Sequence, residues 1–344
     1  MAQKRILKTY TDETSDMPGK LEYQLHDFGC RGVSSIETAG IGGCAHLVSF
    51  TGTDTLPALQ VARKYYGPNT LVAGYSVPAS EHSTMTSWGK DQELEVARHL
   101  LETFPTGPLS VVSDSYDLWH FIDDIIGKDL KDQVVSRANS GGHLVIRPDS
   151  GDPVENVLKV LQRLEVAFGA ETNSKGFKVL HKAVSVIQGD GISYESLKAI
   201  CGAMKDNGWS ISNILFGSGG ALLQKLNRDT QKFAYKACEV TVNGHKVSYG
   251  DDFFYHFHRT KFHIKCVLFQ RDVFKDPVTD PGKKSKSGDL TLVMEGGVYK
   301  TIKRENLKQG QTEQLVTIFE NGKMVKEYSF EEVRGRAREA LINV

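Results

Sequence analysis

Residues 71–82 read LVAGYSVPASEH: a short apolar run gives way to a polar turn that sets Glu81 beside His82. The same order recurs along the first two thirds of the chain. It appears in LEYQLHDFG (21–29), HLVSFTGTD (46–54), LSVVSDSYD (109–117), HLVIRPDSGD (143–152), VSVIQGDG (184–191) and ILFGSGG (214–220). Between several of these runs, residues 56–66, 92–104, 153–168 and 194–207 carry apolar side chains at three-and-four spacing, which predicts amphipathic helices. Strand and helix in alternation predict a parallel sheet. Seven such runs favour an α/β barrel, here spanning residues 21–235, over an open sheet.

In a parallel barrel, chemistry collects on the loops after the carboxyl ends of the strands. Those loops carry His26 and Asp27, Asp54, Glu81 and His82, Asp114 and Asp117, Arg147 and Asp149, Asp190, and the glycines of 217–220. Any one of the acidic residues could be a helix cap. Together with Arg147 and His82 they predict a convergent polar site. IRPDSGDP places a bidentate donor, Arg147, beside the carboxylate Asp149, which suits phosphate oxygens next to sugar hydroxyls or a metal ion. QGDG repeats the carboxylate with Asp190. FGSGGALL reads as a tight turn whose backbone amides, at a helix starting near Ala221, can cradle a phosphate. It lacks the Gly-Lys-Ser/Thr of a P-loop. Arg228 and Lys236 follow and can add charge to such a site.

Composition bounds the function classes. The 344 residues contain 42 basic and 42 acidic side chains, so no net charge argues for nucleic acid or an anionic membrane as a partner. No apolar run approaches the roughly 20 residues that span a bilayer, and the opening residues lack the apolar core of a signal peptide. The expected location is the cytoplasm. Five scattered cysteines without a CxxC pair argue against a disulfide framework or a structural zinc site.

Residues 1–20 read as the tail of a helix followed by a polar loop. After Arg228 the alternation stops, and residues 236–344 predict a smaller β-rich domain. It has strands at 289–294, 298–303 and 314–320, a hairpin turn at Asn321-Gly322, and a last charged helix at 330–341. Its loop carries Lys275, Lys283, Lys284 and Lys286 as a local basic patch.

The motifs LHDFGCRGVSS, ETAGIGG, GYSVPASEHST, SVVSDSYD, IRPDSGDP, VIQGDG, FGSGGALLQKLNRD and FKDPVTDP, in this order, resemble the nicotinamide phosphoribosyltransferase family. The resemblance runs from Gln3 to the carboxyl end, and the family is longer at its amino terminus, where it carries aromatic residues that sandwich the nicotinamide ring. It implies an irregular α/β barrel and a homodimer with the active site at the interface. The implied reaction joins nicotinamide to phosphoribosyl pyrophosphate, with Mg2+ and with ATP as an activating co-substrate. It implies that His82 is phosphorylated by ATP, with Glu81 and Asp114 as its partners. Asp27 would accept a hydrogen bond from the nicotinamide amide, which Ser110 and Arg147 help to hold. Asp149, Gly189 and Asp190 would bind the ribose hydroxyls. Gly219 and Gly220 would cradle the 5′-phosphate, with Arg228 and Lys236 reaching it across the dimer interface. Lys275 and Lys283 would meet the pyrophosphate or the ATP phosphates. The metal ligands stay unassigned.

Two stretches depart from the family pattern. Ala234 stands where the family often has serine. Residues 247–270, VSYGDDFFYHFHRTKFHIKCVLFQ, have no counterpart and read as a translated, unspliced intron; their His256 and His258 lack a third ligand for a metal. The alternatives are a nicotinate-using relative, which the Asp27 carboxylate facing the base disfavours, and a catalytically inactive fragment that acts by dimerisation.

Overall fold

A computed structural model describes residues 1–70, 74–225, 238–242, 245–247, 278–279 and 286–342. Contacts divide the chain into two units, Met1–Asn227 with Tyr328–Val344, and Arg228–Glu327.

The first unit holds six parallel strands. Their order across the sheet is Gly52–Thr53, Leu25–Asp27, Ile214–Ser218, Val184–Gln188, Gly142–Arg147 and Gly107–Val112. The described part of the seventh run, residues 74–82, contains no regular strand, yet it joins the two sheet edges. Tyr75 bridges Gly52 on one side and Ala79 bridges Ser110 on the other, both in parallel sense. The Tyr75 amide donates to Thr51 O at 2.8 Å, and the Ser110 amide donates to Pro78 O at 2.9 Å. Pro78 has no amide to give, which suits it to an irregular stave. The barrel expected from the runs is therefore formed by six strands and one extended segment.

Side-chain alternation sets two faces. Leu109, Val111, Leu144, Ile146, Val184, Val186, Leu25 and Phe216 are buried in the main core under the helices. That core includes Val157, Val160, Leu161 and Leu164 of the helix Pro153–Phe168, and Leu197, Ile200, Cys201 and Met204 of the helix Tyr194–Asp206. Each fully buried large aliphatic contributes about 1.5–3 kcal/mol. The opposite face is made of His26, Phe28, Ser110, His143, Val145, Arg147, Ser185, Ile187 and Leu215, and it surrounds a cavity of about 1130 Å³. Small and polar residues replace the bulky branched layers that fill many barrels. The interior stays open for that reason.

The helices expected at 56–66, 92–104, 153–168 and 194–207 form as Pro57–Tyr66, Glu93–Thr103, Pro153–Phe168 and Tyr194–Asp206. Two helical regions have no counterpart in the sequence reading. Ile36–Leu47 contains three glycines, which weaken a helix in isolation. The glycines let it approach Pro57–Tyr66 closely: a Cβ on Gly43 would lie 2.8 Å from the Ala58 Cβ, and one on Gly40 would lie 2.5 Å from Val61 Cγ2. The second region, 118–139, includes a π-helical stretch at Phe121–Asp129 and buries Phe121, Ile122, Ile125, Ile126 and Leu130.

The amino-terminal helix, Ala2–Thr14, is longer than expected. The last helix, Phe330–Ile342, forms as expected but belongs to the barrel unit rather than to the smaller domain. Phe330 packs in a small cluster with Cys44, Leu47, Ala58 and Ala62, and Arg338 pairs with Glu22 at 3.0 Å.

The second unit contains the antiparallel pairs Val240–Val242 with His245–Val247, Leu290–Glu295 with Val298–Lys303, and Phe319–Glu320 with Lys323–Met324. The last pair turns at Asn321 (φ 49°) and Gly322 (φ 81°), the left-handed pair that an Asn-Gly hairpin provides. Of the strand expected at 314–320, only Phe319–Glu320 forms. Arg228, Lys236, Lys275 and Lys283, together with Ala234, His256 and His258, lie outside the described residues.

Candidate active site

Glu81 is the amino-terminal cap of the short helix His82–Thr86, and His82 is its first residue. The extended segment 75–80 delivers both to the carboxyl end of the barrel. His82 Nε2 lies 3.0 Å from Asp114 Oδ1, and its Nδ1 lies 3.9 Å from Asp149 Oδ2. A carboxylate only accepts, so the Asp114 contact puts the ring proton on Nε2 and leaves the lone pair on Nδ1.

Asp114 serves more than the histidine. Its Oδ2 accepts from the Asp149 amide at 3.0 Å and from the Ser150 hydroxyl at 2.5 Å. Burial pushes its pKa up, but the Ser150 hydroxyl, the Asp149 amide and His82 outweigh burial and hold it below the ordinary carboxylate range. Asn156 Nδ2 donates to Ser150 O at 2.6 Å and so fixes the same turn, where Gly151 takes a φ of 83°.

Arg147 ends its strand nearly buried, with Nη2 3.5 Å from Glu81 Oε2, and Arg31 reaches the same carboxylate at 3.9 Å. The Arg147 Nε is buried without a hydrogen-bond partner among the described residues. A donor kept dry in this way costs free energy unless a ligand accepts from it. Arg147, Glu81, Asp149, Gly189, Asp190, Ser110, Gly219 and Gly220 all line the one cavity. His82 and Asp114 are not among the described lining residues; both contact Asp149, which is.

Asp27 is a correction. Its neighbours His26 and Phe28 face the cavity, so alternation turns Asp27 the other way. It is fully buried, its Oδ1 accepts from the Gly29 amide at 2.8 Å, and a Cβ on Gly43 would lie 3.1 Å from its Oδ2. Burial raises its pKa, against weaker lowering by its hydrogen bonds. This is a structural group behind the strand. The carboxylate that does line the cavity here is Asp54, which accepts from the Ser76 hydroxyl at 2.5 Å. Asp54 stands among the strand-end residues of the sequence reading but received no role there. Phe28, Arg31 and Ser76 were also overlooked. The period-two pattern around His26 was the available signal.

The other strand-end residues divide. Asp117 is a helix cap, accepting from the Trp119 and His120 amides at 2.9 and 3.2 Å. In FGSGG, a Cβ on Gly217 would overlap the Phe28 ring, and one on Gly220 would lie 2.5 Å from Gly32 O. Gly217 makes room for the Phe28 ring, Gly220 lets two loops meet backbone to backbone, and Gly219 precedes the helix Gly220–Gln224.

Among the described residues no group of three or more His, Cys, Asp or Glu forms a metal cage. Mg2+ does not require one, since it commonly takes one or two carboxylates and completes its shell with water and substrate phosphates. The half-exposed Asp149 carboxylate fits that mode.

A barrel that keeps an arginine and glycines around one open cavity, beside a histidine–carboxylate pair, has the chemistry to suit an anionic sugar substrate. The model of the nicotinate phosphoribosyltransferase (NAPRTase) family matches residues 23–252, and the chain belongs to that family. It is 45% identical over 98% of its length to the nicotinamide phosphoribosyltransferase of Xanthomonas campestris pv. campestris (strain 8004), covering 68% of that protein. It is 34% identical over 98% of its length to the enzyme of that name from Acinetobacter baylyi, covering 65%. It is also 36% identical over 83% of its length to the one from Mycoplasma pneumoniae, covering 57%. The chain thus spans between 57 and 68% of the length of these relatives.

Proposed function

We propose that this chain joins nicotinamide to phosphoribosyl pyrophosphate, giving nicotinamide mononucleotide and pyrophosphate. The observation that carries this reading is the gathering of Arg147, Glu81, Asp149 and Asp190 on one cavity, with the His82–Asp114 pair in contact with Asp149. Displacement at the anomeric carbon builds positive charge on the ribose and negative charge on the departing pyrophosphate. The site must therefore position the reactants and neutralise the leaving group.

Asp149 and Asp190, with Gly189, take the ribose hydroxyls, and Gly219 and Gly220 receive the 5′-phosphate. Ser110 and Arg147 hold the amide of the base. The carboxylate that selects the base is Asp54: it accepts from an amide N–H and repels a second carboxylate, which favours nicotinamide over nicotinate. His82 is the phosphoacceptor for ATP. With Nε2 protonated against Asp114, its nucleophilic atom is Nδ1, on the Asp149 side. Mg2+, held by Asp149 together with substrate phosphates, would supply charge neutralisation at the pyrophosphate. Arg228 and Lys236 act across a homodimer interface, and Lys275 and Lys283 meet phosphates. The cytoplasm is the expected setting.

The test is nicotinamide mononucleotide formation with Mg2+ and ATP by the chain and by its His82→Ala variant. Formation that falls in the variant supports the reading. A folded chain that makes no product sinks it, and favours the fragment alternative, which mixing with a full-length relative and looking for heterodimers examines directly. Turnover of nicotinate in preference to nicotinamide would favour the second substrate.

A further inference from the structure

His143 and Ser185 form a hydrogen-bonded pair at the amino-terminal end of the barrel interior, away from His82. His143 is four residues before Arg147 on one strand, which sets the two about 13 Å apart along it. His143 Nδ1 lies 2.8 Å from Lys182 O, and Nε2 lies 2.6 Å from Ser185 Oγ. A carbonyl oxygen only accepts, so the proton sits on Nδ1 and the bare Nε2 accepts from the serine hydroxyl. Burial lowers the His143 pKa, and the charges of Lys20 and Arg137 lower it further despite the Lys182 carbonyl, which keeps the imidazole neutral. Ser185 is only 8% exposed to solvent, yet it lines the cavity together with His143, Lys20, Pro108 and Val145.

We propose that Ser185 is a nucleophile activated by His143, and that this end of the cavity takes carboxylic esters with a short acyl chain. A positioned base with a fixed tautomer and a serine hydroxyl at short range, with a lysine lining the same cavity, are the parts of an acyl-transfer site. The apolar Pro108 and Val145 suit a small acyl group. Ser185 Oγ adds to the ester carbonyl carbon as its proton passes to His143 Nε2. The tetrahedral oxyanion is stabilised by the Lys20 charge. The C–O bond to the alcohol then breaks, and His143 returns the proton to the leaving oxygen. Water repeats the sequence on the acyl-serine, releasing the carboxylic acid and restoring the Ser185 hydroxyl.

The experiment treats the full chain with an alkyl fluorophosphonate, maps the label by peptide mass spectrometry, and follows 4-nitrophenyl acetate hydrolysis in the Ser185→Ala, His143→Gln and His82→Ala variants. The expected result is a label on Ser185. Hydrolysis should fall at least about 100-fold in the first two variants, the lower bound for loss of a general base, and persist in the third. A wild-type chain left unlabelled at Ser185 overturns the proposal, whether or not the variants fold. So does hydrolysis that follows His82 rather than Ser185.

Discussion

Asp114 holds His82 and the Asp149–Ser150 turn with one carboxylate: Oδ1 meets His82 Nε2 at 3.0 Å, while Oδ2 accepts from the Asp149 amide at 3.0 Å and the Ser150 hydroxyl at 2.5 Å. The group that orients the histidine is therefore also the one that fixes the turn carrying the sugar-binding carboxylate. Asp114→Asn removes the carboxylate that accepts from His82 Nε2 while nearly keeping its size. We expect the ATP-stimulated rate to fall about 100-fold, in the range typical of an acid–base partner, with a much smaller effect on the rate without ATP. Steady-state assays with and without ATP check this. An equal loss in both would mean that Asp114 only maintains the fold.

Ser150 sets the pH response of that carboxylate. A carboxylate whose folded pKa is depressed contributes stability above its unfolded value, near 3.9, and loses it as pH falls through the folded value. Ser150→Ala removes the largest of the effects that lower the Asp114 pKa. The variant should be less stable near neutral pH and lose less on acidification, because its folded pKa lies closer to the unfolded one and the decline ends at higher pH. Thermal unfolding from pH 6 down to pH 2 reads it, and superimposable profiles would refute the assignment.

Asp27 and Asp54 make opposite predictions. Asp54→Asn alters the cavity wall, so KM for nicotinamide should rise at least about 10-fold and the preference over nicotinate should shrink. Asp27→Asn touches only the packed back of the strand. Because burial raises the Asp27 pKa, folding favours its protonated form, and its contribution is lost as pH rises from the unfolded value through the folded one. The asparagine variant should lose that decline and keep its KM. A KM change in Asp27→Asn with none in Asp54→Asn would return the base-binding role to Asp27.

These two residues also mark where sequence reading stops. The seven runs were legible because buried parallel strands need continuous apolar stretches, and Glu81, His82, Arg147 and Asp149 were legible because strand-end loops are a small address. Which of two adjacent residues faces inward is a matter of register, and one step reverses it. HDFG holds His26, Asp27 and Phe28 in a row, and only the pairing of Leu25–Asp27 with Ile214–Ser218 and Gly52–Thr53 settles their directions. The helix Ile36–Leu47 was hidden for a different reason, since its glycines answer to the neighbouring helix rather than to local propensity. The tautomer of His82 lies further still from the sequence, because it depends on a residue 32 positions away.

The same limit applies to Phe330–Ile342, which follows the β-hairpins in sequence and packs on the barrel in space. Phe330 is 2% exposed, and its ring meets Tyr66 edge-on, with centroids 5.2 Å apart at 76°. Phe330→Ala would leave a cavity against Leu47 and Ala62, and truncating a buried aromatic costs about 3–5 kcal/mol. For a unit of this size each kcal/mol lowers Tm by about 2–4 °C, so a drop of about 10 °C in the barrel transition is expected. Near-ultraviolet circular dichroism, with Trp119 and Trp209 reporting on the barrel core, follows that transition. If the helix belonged with the smaller unit, the barrel signal would melt unchanged and only the β-rich unit would lose stability.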